Sequence, residues 1–127
     1  MKTLRNVLLI NGASSGATGL LLVAAPGFFA SLFDTTATVP FVGTGIFLLA
    51  FAVLVIAEGM RKELSPARVR LIILLDTLWV VASVVIIVLG AFAISALGYA
   101  MIGAVALWVA LMAYLQFAGL KKVVVAN

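Results

Sequence analysis

All eight Lys and Arg residues of this 127-residue chain fall in three short clusters: Lys2/Arg5, Arg61/Lys62/Arg68/Arg70 and Lys121/Lys122. The stretches between them are dominated by apolar and small residues. Each is too long for one membrane crossing of about 20 residues and suits two. Composition agrees, since 66% of the residues are apolar and only 9% charged, whereas a soluble domain carries about a quarter charged. There is too little polar surface to solvate a globule, so the solvent is lipid. In hydrocarbon the backbone must satisfy itself, in helices or closed barrels. Continuous apolar runs of about 20 residues, rather than alternating strands of about 10, select helices.

The expected fold is therefore an all-α membrane protein, a four-transmembrane-helix bundle forming a single domain over 1–127. The spans are expected at about 4–25, 40–60, 67–90 and 97–118. Pro26-Gly27 breaks the chain after the first span. Phe28, Phe29, Leu32 and Phe33 then recur at helical spacing, as in a short segment lying in the interface. Asp34, Thr35, Thr36 and Thr38 form an outer loop, and Pro40 opens the second span. Ser65-Pro66 reads as an N-cap with proline at the first helical position. A second outer turn falls around Ser95 to Gly98. Phe28, Phe29, Phe33, Phe41, Phe92 and Tyr99 make an outer aromatic belt.

The central loop and termini hold every basic residue and the outer loops none, which places both termini in the cytoplasm. A bacterial cytoplasmic (inner) membrane is the expected site. The net charge of +4 suits anionic inner-leaflet lipids as partners, and not nucleic acid. Asn11-Gly12 interrupts the first apolar run, and Pro26 directly after Ala24-Ala25 is a poor cleavage context. The first span is thus read as retained rather than as a signal peptide.

The two halves of the chain align. At an offset of 60, Val42-Gly43 falls on Ile102-Gly103, and Gly59-Met60-Arg61-Lys62 falls on Gly119-Leu120-Lys121-Lys122. At an offset of 65, Arg5 falls on Arg70 and Asn11 on Asp76. This pattern reads as a tandem, parallel duplication of one two-helix hairpin, related by an axis along the membrane normal.

With no Cys and no His, disulfides, thiolate chemistry, Cys/His metal sites, His-ligated haem and a Ser-His-Asp triad are excluded. The spans contain no Lys for a Schiff base. No catalytic residue, metal or cofactor is expected. Asp76 is the sharpest candidate for chemistry. A carboxylate inside a span is costly and should face the bundle. If the repeat holds, Asn11 lies at matching depth, with Ser15 one turn on. Together these three form a proton- or cation-binding site on one reading, and hydrogen-bonded helix glue or a salt bridge to Arg5 or Arg70 on the other. Glu58 is expected to pair with Lys62 or Arg61 at the surface, or to join Asp76 as a carboxylate pair. Tyr114 and Gln116 add polar atoms near the inner end of the fourth span.

Gly12, Gly16 and Gly19, with Ser15, form a small-residue run suited to close helix packing, within one chain or between chains. Ala96, Ala100 and Ala104 make a weaker stripe. Trp79 and Trp108 sit too deep for a belt, and either fill the core or line an apolar pocket.

The leading functional expectation is a non-enzymatic accessory, scaffold or assembly module, working as a homo-oligomer or within a larger membrane complex. The alternative is an oligomeric small transporter or channel with its proton- or cation-responsive site at Asp76. The general layout is similar to small bacterial inner-membrane proteins, a likeness that carries no mechanism. Four-span exporters imply a carboxylate in the first span. This chain has Asn11 there, which weighs against transport.

Overall fold

The computed structural model describes residues 2–90 and 95–126, with side chains from 3 to 122 outside that gap, and every regular element described is a helix. These are α1 (Lys2–Ala24), α2 (Pro26–Leu32), α3 (Val39–Gly59), α4 (Pro66–Leu89) and α5 (Ala96–Ala126). Of these, α1, α3, α4 and α5 are long and apolar enough to cross a membrane. The short α2 covers the segment whose aromatic residues recur at helical spacing, with Phe28 and Phe29 in edge-to-face contact at 5.5 Å.

The helix boundaries follow from local chemistry. Proline stands at the start of α2, α3 and α4, where its missing N–H costs nothing. Ser65 is extended, and its Oγ accepts the Arg68 N–H at 3.4 Å. At the other end of α4, Gly90 takes φ +55°, a left-handed cap that glycine adopts without strain. The fourth span departs from expectation at its end. Gly119 does not stop α5, which runs on to Ala126. Instead its missing side chain admits Leu4, whose Cβ would lie 3.0 Å from a Cβ at this position. Gly59, its counterpart in the sequence alignment, does end α3.

Packing divides the bundle into two hairpins. α1 lies along α3 and α4 along α5, while α1 also meets α5 and α3 touches α4 only lightly. The glycine run joins helices within one chain. A Cβ at Gly12 would collide with Ile56, one at Gly16 would meet Ala52 at 3.4 Å, and one at Gly19 would come within 2.8 Å of the Gly45 carbonyl oxygen. Backbone approach of this kind is how helices hold together in lipid, where burying apolar surface gains little. The alanine stripe of α5 is exposed instead.

One end of the bundle gathers the start of α1, the end of α3, the start of α4 and the end of α5, and so collects the basic clusters. The apolar core lies towards that end: Leu4, Leu8, Phe51, Val55, Leu64, Val69, Ile72 and Leu120. At the opposite end, Ser95 ties the two halves together. Its N–H donates to the Phe33 carbonyl at 3.0 Å and its Oγ to the Leu32 carbonyl at 2.7 Å. Phe33 packs edge-on against Phe41 at 5.0 Å. Phe92, expected in the same belt, lies outside the described residues.

Gly19→Val should lower stability by about 1–3 kcal/mol, because the added side chain must push α1 off α3. Gly43→Ala, with nothing within 4 Å of the new Cβ, should be neutral or stabilising by up to about 1 kcal/mol. Thermal unfolding in detergent, followed by circular dichroism, checks both signs.

Candidate intramembrane polar site

A polar cluster lies in the bundle where α1, α4 and α5 meet. Asn11 and Asp76 are buried, and Gln116 is fully so. Asn11 Nδ2 donates to Asp76 Oδ2 at 2.9 Å and to Gln116 Oε1 at 2.8 Å. Gln116 Nε2 donates to the same Asp76 Oδ2 at 2.8 Å. The three side chains thus close a ring with one bond along each edge. Ser15 Oγ adds a long bond of 3.4 Å to Asn11 Oδ1, as its place one turn along α1 allows.

The positions on each helix explain the meeting. Asn11 comes six residues after Arg5, Asp76 six after Arg70, and Gln116 five before Lys121. Each is therefore about 8–9 Å inward from a basic residue at the common end. Three elements arrive at one depth carrying one polar side chain each.

Sequence reasoning placed Asn11, Asp76 and Ser15 together, and the structure brings them into one bonded network. Gln116, expected only to add polar atoms near the inner end of the fourth span, completes that network. The count from Lys121 was the available signal.

Glu58 does not join the cluster and is not a surface residue. It is 1% exposed. Its Oε1 accepts the Ser65 N–H at 2.6 Å, and its Oε2 faces Arg61 Nε at 3.7 Å and Arg68 Nη1 at 3.9 Å. Lys62, the expected i,i+4 partner, makes no such pair. The reason is the chain reversal between α3 and α4, which lays the first turn of α4 over the end of α3. Glu58 thereby accepts one of the amide hydrogens that a helix start leaves unpaired. It stays with Ser65, whereas Asp76 lies about 15 Å further along α4. Arg5 closes the same corner from α1. Its guanidinium donates to the carbonyls of Gly59 at 2.8 Å, Lys62 at 3.2 Å and Arg61. It caps the end of α3 and does not reach Asp76. Arg70, the other expected partner for Asp76, is exposed.

Beyond the polar ring, on the side away from the basic end, lies a cleft of about 20 Å³ lined by Ser15, Phe47, Leu48, Phe51, Leu75, Asp76, Trp79 and Val109. That is room for one water-sized group. Trp79 stacks on Phe47 at 6.2 Å across α3 and α4. Its indole Nε1 is buried with no hydrogen-bond partner among the described residues. Both bonds to Asp76 end on Oδ2, and Oδ1 accepts none from any described residue. No described Lys or Arg lies within ion-pair distance of Asp76. Trp108, the other deep tryptophan, is 42% exposed on α5 and lines no part of this cleft. Among the described residues no group of three Asp, Glu, His or Cys is placed to hold a metal ion.

No protein-family model matches the chain, and no characterised protein or solved structure matches it either.

Asn11→Leu and Gln116→Leu, both near-isosteric, should each cost about 1–3 kcal/mol, because each leaves buried polar partners unpaired. The double variant should cost less than the sum, with a coupling of about 0.5–2 kcal/mol. A double-mutant cycle from reversible unfolding in mixed micelles measures it, and strict additivity would mean the ring does not act as a unit. Glu58→Ala should speed amide exchange at Ser65 while leaving exchange at Asp76 unchanged.

Proposed function

We propose that the chain is a non-enzymatic integral membrane protein that acts as an accessory or assembly module, placed in a bacterial inner membrane with both termini in the cytoplasm. One observation carries the reading. Polar groups in the interior bind one another across helices, while the far faces of α4 and α5 stay open and apolar. Leu107, Leu111 and Tyr114 share one such face of α5, all exposed. A face of this kind meets lipid, a second copy or a larger membrane complex. The basic end, with Arg61, Lys62, Arg68, Arg70, Lys121 and Lys122 all exposed, suits anionic inner-leaflet headgroups.

The tandem hairpin duplication is part of this proposal. It is supported by the bond between Asn11 and Asp76, 65 residues apart, since equivalent residues of two parallel copies meet across their axis. The two copies have since diverged, because Gln116 aligns with Ile56, and α3 stops where α5 continues.

A second reading, an oligomeric transporter or channel with its cation-responsive site at Asp76, is favoured by the cleft. There, among the described residues, one carboxylate oxygen accepts no bond and no Lys or Arg lies within ion-pair distance.

Two measurements test these readings. The chain has no Cys, so single cysteines report sidedness. A membrane-impermeant maleimide should label Thr36→Cys in intact cells and Glu63→Cys only after lysis, and the reverse pattern would overturn the orientation. Native mass spectrometry from mild detergent should show the chain bound to a second copy or another protein, with Leu107→Ala/Leu111→Ala releasing it. A lipid-only monomer, together with ion exchange in proteoliposomes that Asp76→Asn abolishes, would favour the transport reading instead.

A further inference from the structure

The cleft beside Asp76 has three features that together define an occupant. It is closed towards the basic end, where the polar ring and then Leu8, Val55, Val69 and Ile72 fill the bundle. It reaches the lipid-facing surface, because Phe47, one of its walls, is 46% exposed. It is lined by Asp76, 3% exposed, whose Oδ1 accepts no hydrogen bond from any described residue. An ionised carboxylate in hydrocarbon without a cation is among the costlier arrangements a membrane protein can hold. Asn11 and Gln116 are neutral, so an ionised Asp76 would draw its cation from elsewhere.

The chemistry around the cleft narrows the cation. A hard metal ion asks for about six oxygens. Of the residues lining this cleft, Asp76 and Ser15 carry the side-chain oxygens, and about 20 Å³ leaves little space for the waters that would complete a shell. A primary ammonium group needs one to three acceptors and occupies about the volume of a water. Its positive charge is also tolerated beside aromatic rings, here Phe47, Phe51 and Trp79. Asp76 lies about 9 Å along α4 beyond Arg70, the last basic residue of that helix, and the polar ring shuts the cleft off from the basic end. The occupant must arrive through the lipid, with its charge at one tip and an apolar body that stays beside Phe47.

We infer that the cleft between α3 and α4 is a binding site for a lipophilic primary amine, whose ammonium group pairs with Asp76 Oδ1 while its chain extends into the bilayer past Phe47. Ser15 Oγ is the second acceptor. The inference shares Asp76 with the transport reading, but it concerns binding at equilibrium. A protein that binds and does not exchange would lose that reading and keep this one.

The test uses the full chain in phosphatidylcholine nanodiscs on a Trp108→Phe background, which leaves Trp79 as the single indole of the two in the sequence. Dodecylammonium should shift Trp79 emission saturably and raise the thermal midpoint, while dodecanol and sodium ion should do neither. Asp76→Asn should weaken dodecylammonium binding by at least about tenfold through loss of the charge pair. Should that variant not fold, Val109→Phe, which fills the cleft and leaves the polar ring in place, should abolish the shift. An equal response to dodecanol or sodium ion overturns the assignment, as does undiminished binding in a folded Asp76→Asn or in Val109→Phe.

Discussion

One carboxylate oxygen, Asp76 Oδ2, accepts an amide hydrogen from each of two other membrane helices. The relation between the two halves of the bundle turns on it. Within the first hairpin, glycines bring α1 and α3 into backbone contact. Between the hairpins, that mechanism is much weaker. Lipid is as apolar as leucine, so two greasy hairpins have little reason to prefer each other over the bilayer. A side-chain acceptor that can be satisfied only by donors from α1 and α5 supplies the preference. It also supplies register, because a shift of one residue along any of the three helices breaks the ring.

The same arrangement divides the molecule along its axis. Towards the basic end, side chains interlock and the loop is stitched down by Arg5 and Glu58, each satisfying backbone groups of another segment. Away from it, aromatic residues bridge the light contact between α3 and α4, where Trp79 stacks on Phe47. Ser95 and α2 then hold the far end together through backbone carbonyls. The contacts between the two hairpins therefore differ in kind at the two ends of one small bundle, with the polar ring as the boundary.

Much of this was legible from residue types and spacing. The basic clusters located the ends of the long helices to within a few residues, apart from the C-terminal end of α5. Proline and serine placed the start of α4. The matched spacing from Arg5 and Arg70 brought Asn11 and Asp76 to one depth. What could not be read were the contacts set by how the chain folds back. Glu58 looked like a surface partner for Lys62 or Arg61; Arg61 does face it, but only the reversal after α3 buries it and brings Ser65 and Arg68 alongside. Arg5 looked like a neighbour for Asp76, but three loop carbonyls lay closer to its guanidinium. Gly119 looked like a helix stop because glycine has two uses, as a terminator and as a place for another helix to approach, and sequence alone does not tell which applies. Gln116 escaped for a different reason. Its depth was countable, but nothing in one sequence indicates which face of α5 turns inward.

The interactions that bind α1 to α3 all lie within the first sixty-two residues: the glycine contacts along their length, and the Arg5 bonds that end at Lys62. That hairpin is complete as a packing unit before α4 has been synthesised. The second hairpin then enters a membrane in which Asn11 already waits at the depth Asp76 and Gln116 must reach. Order of synthesis thus permits the first half of the chain to pack before the second exists.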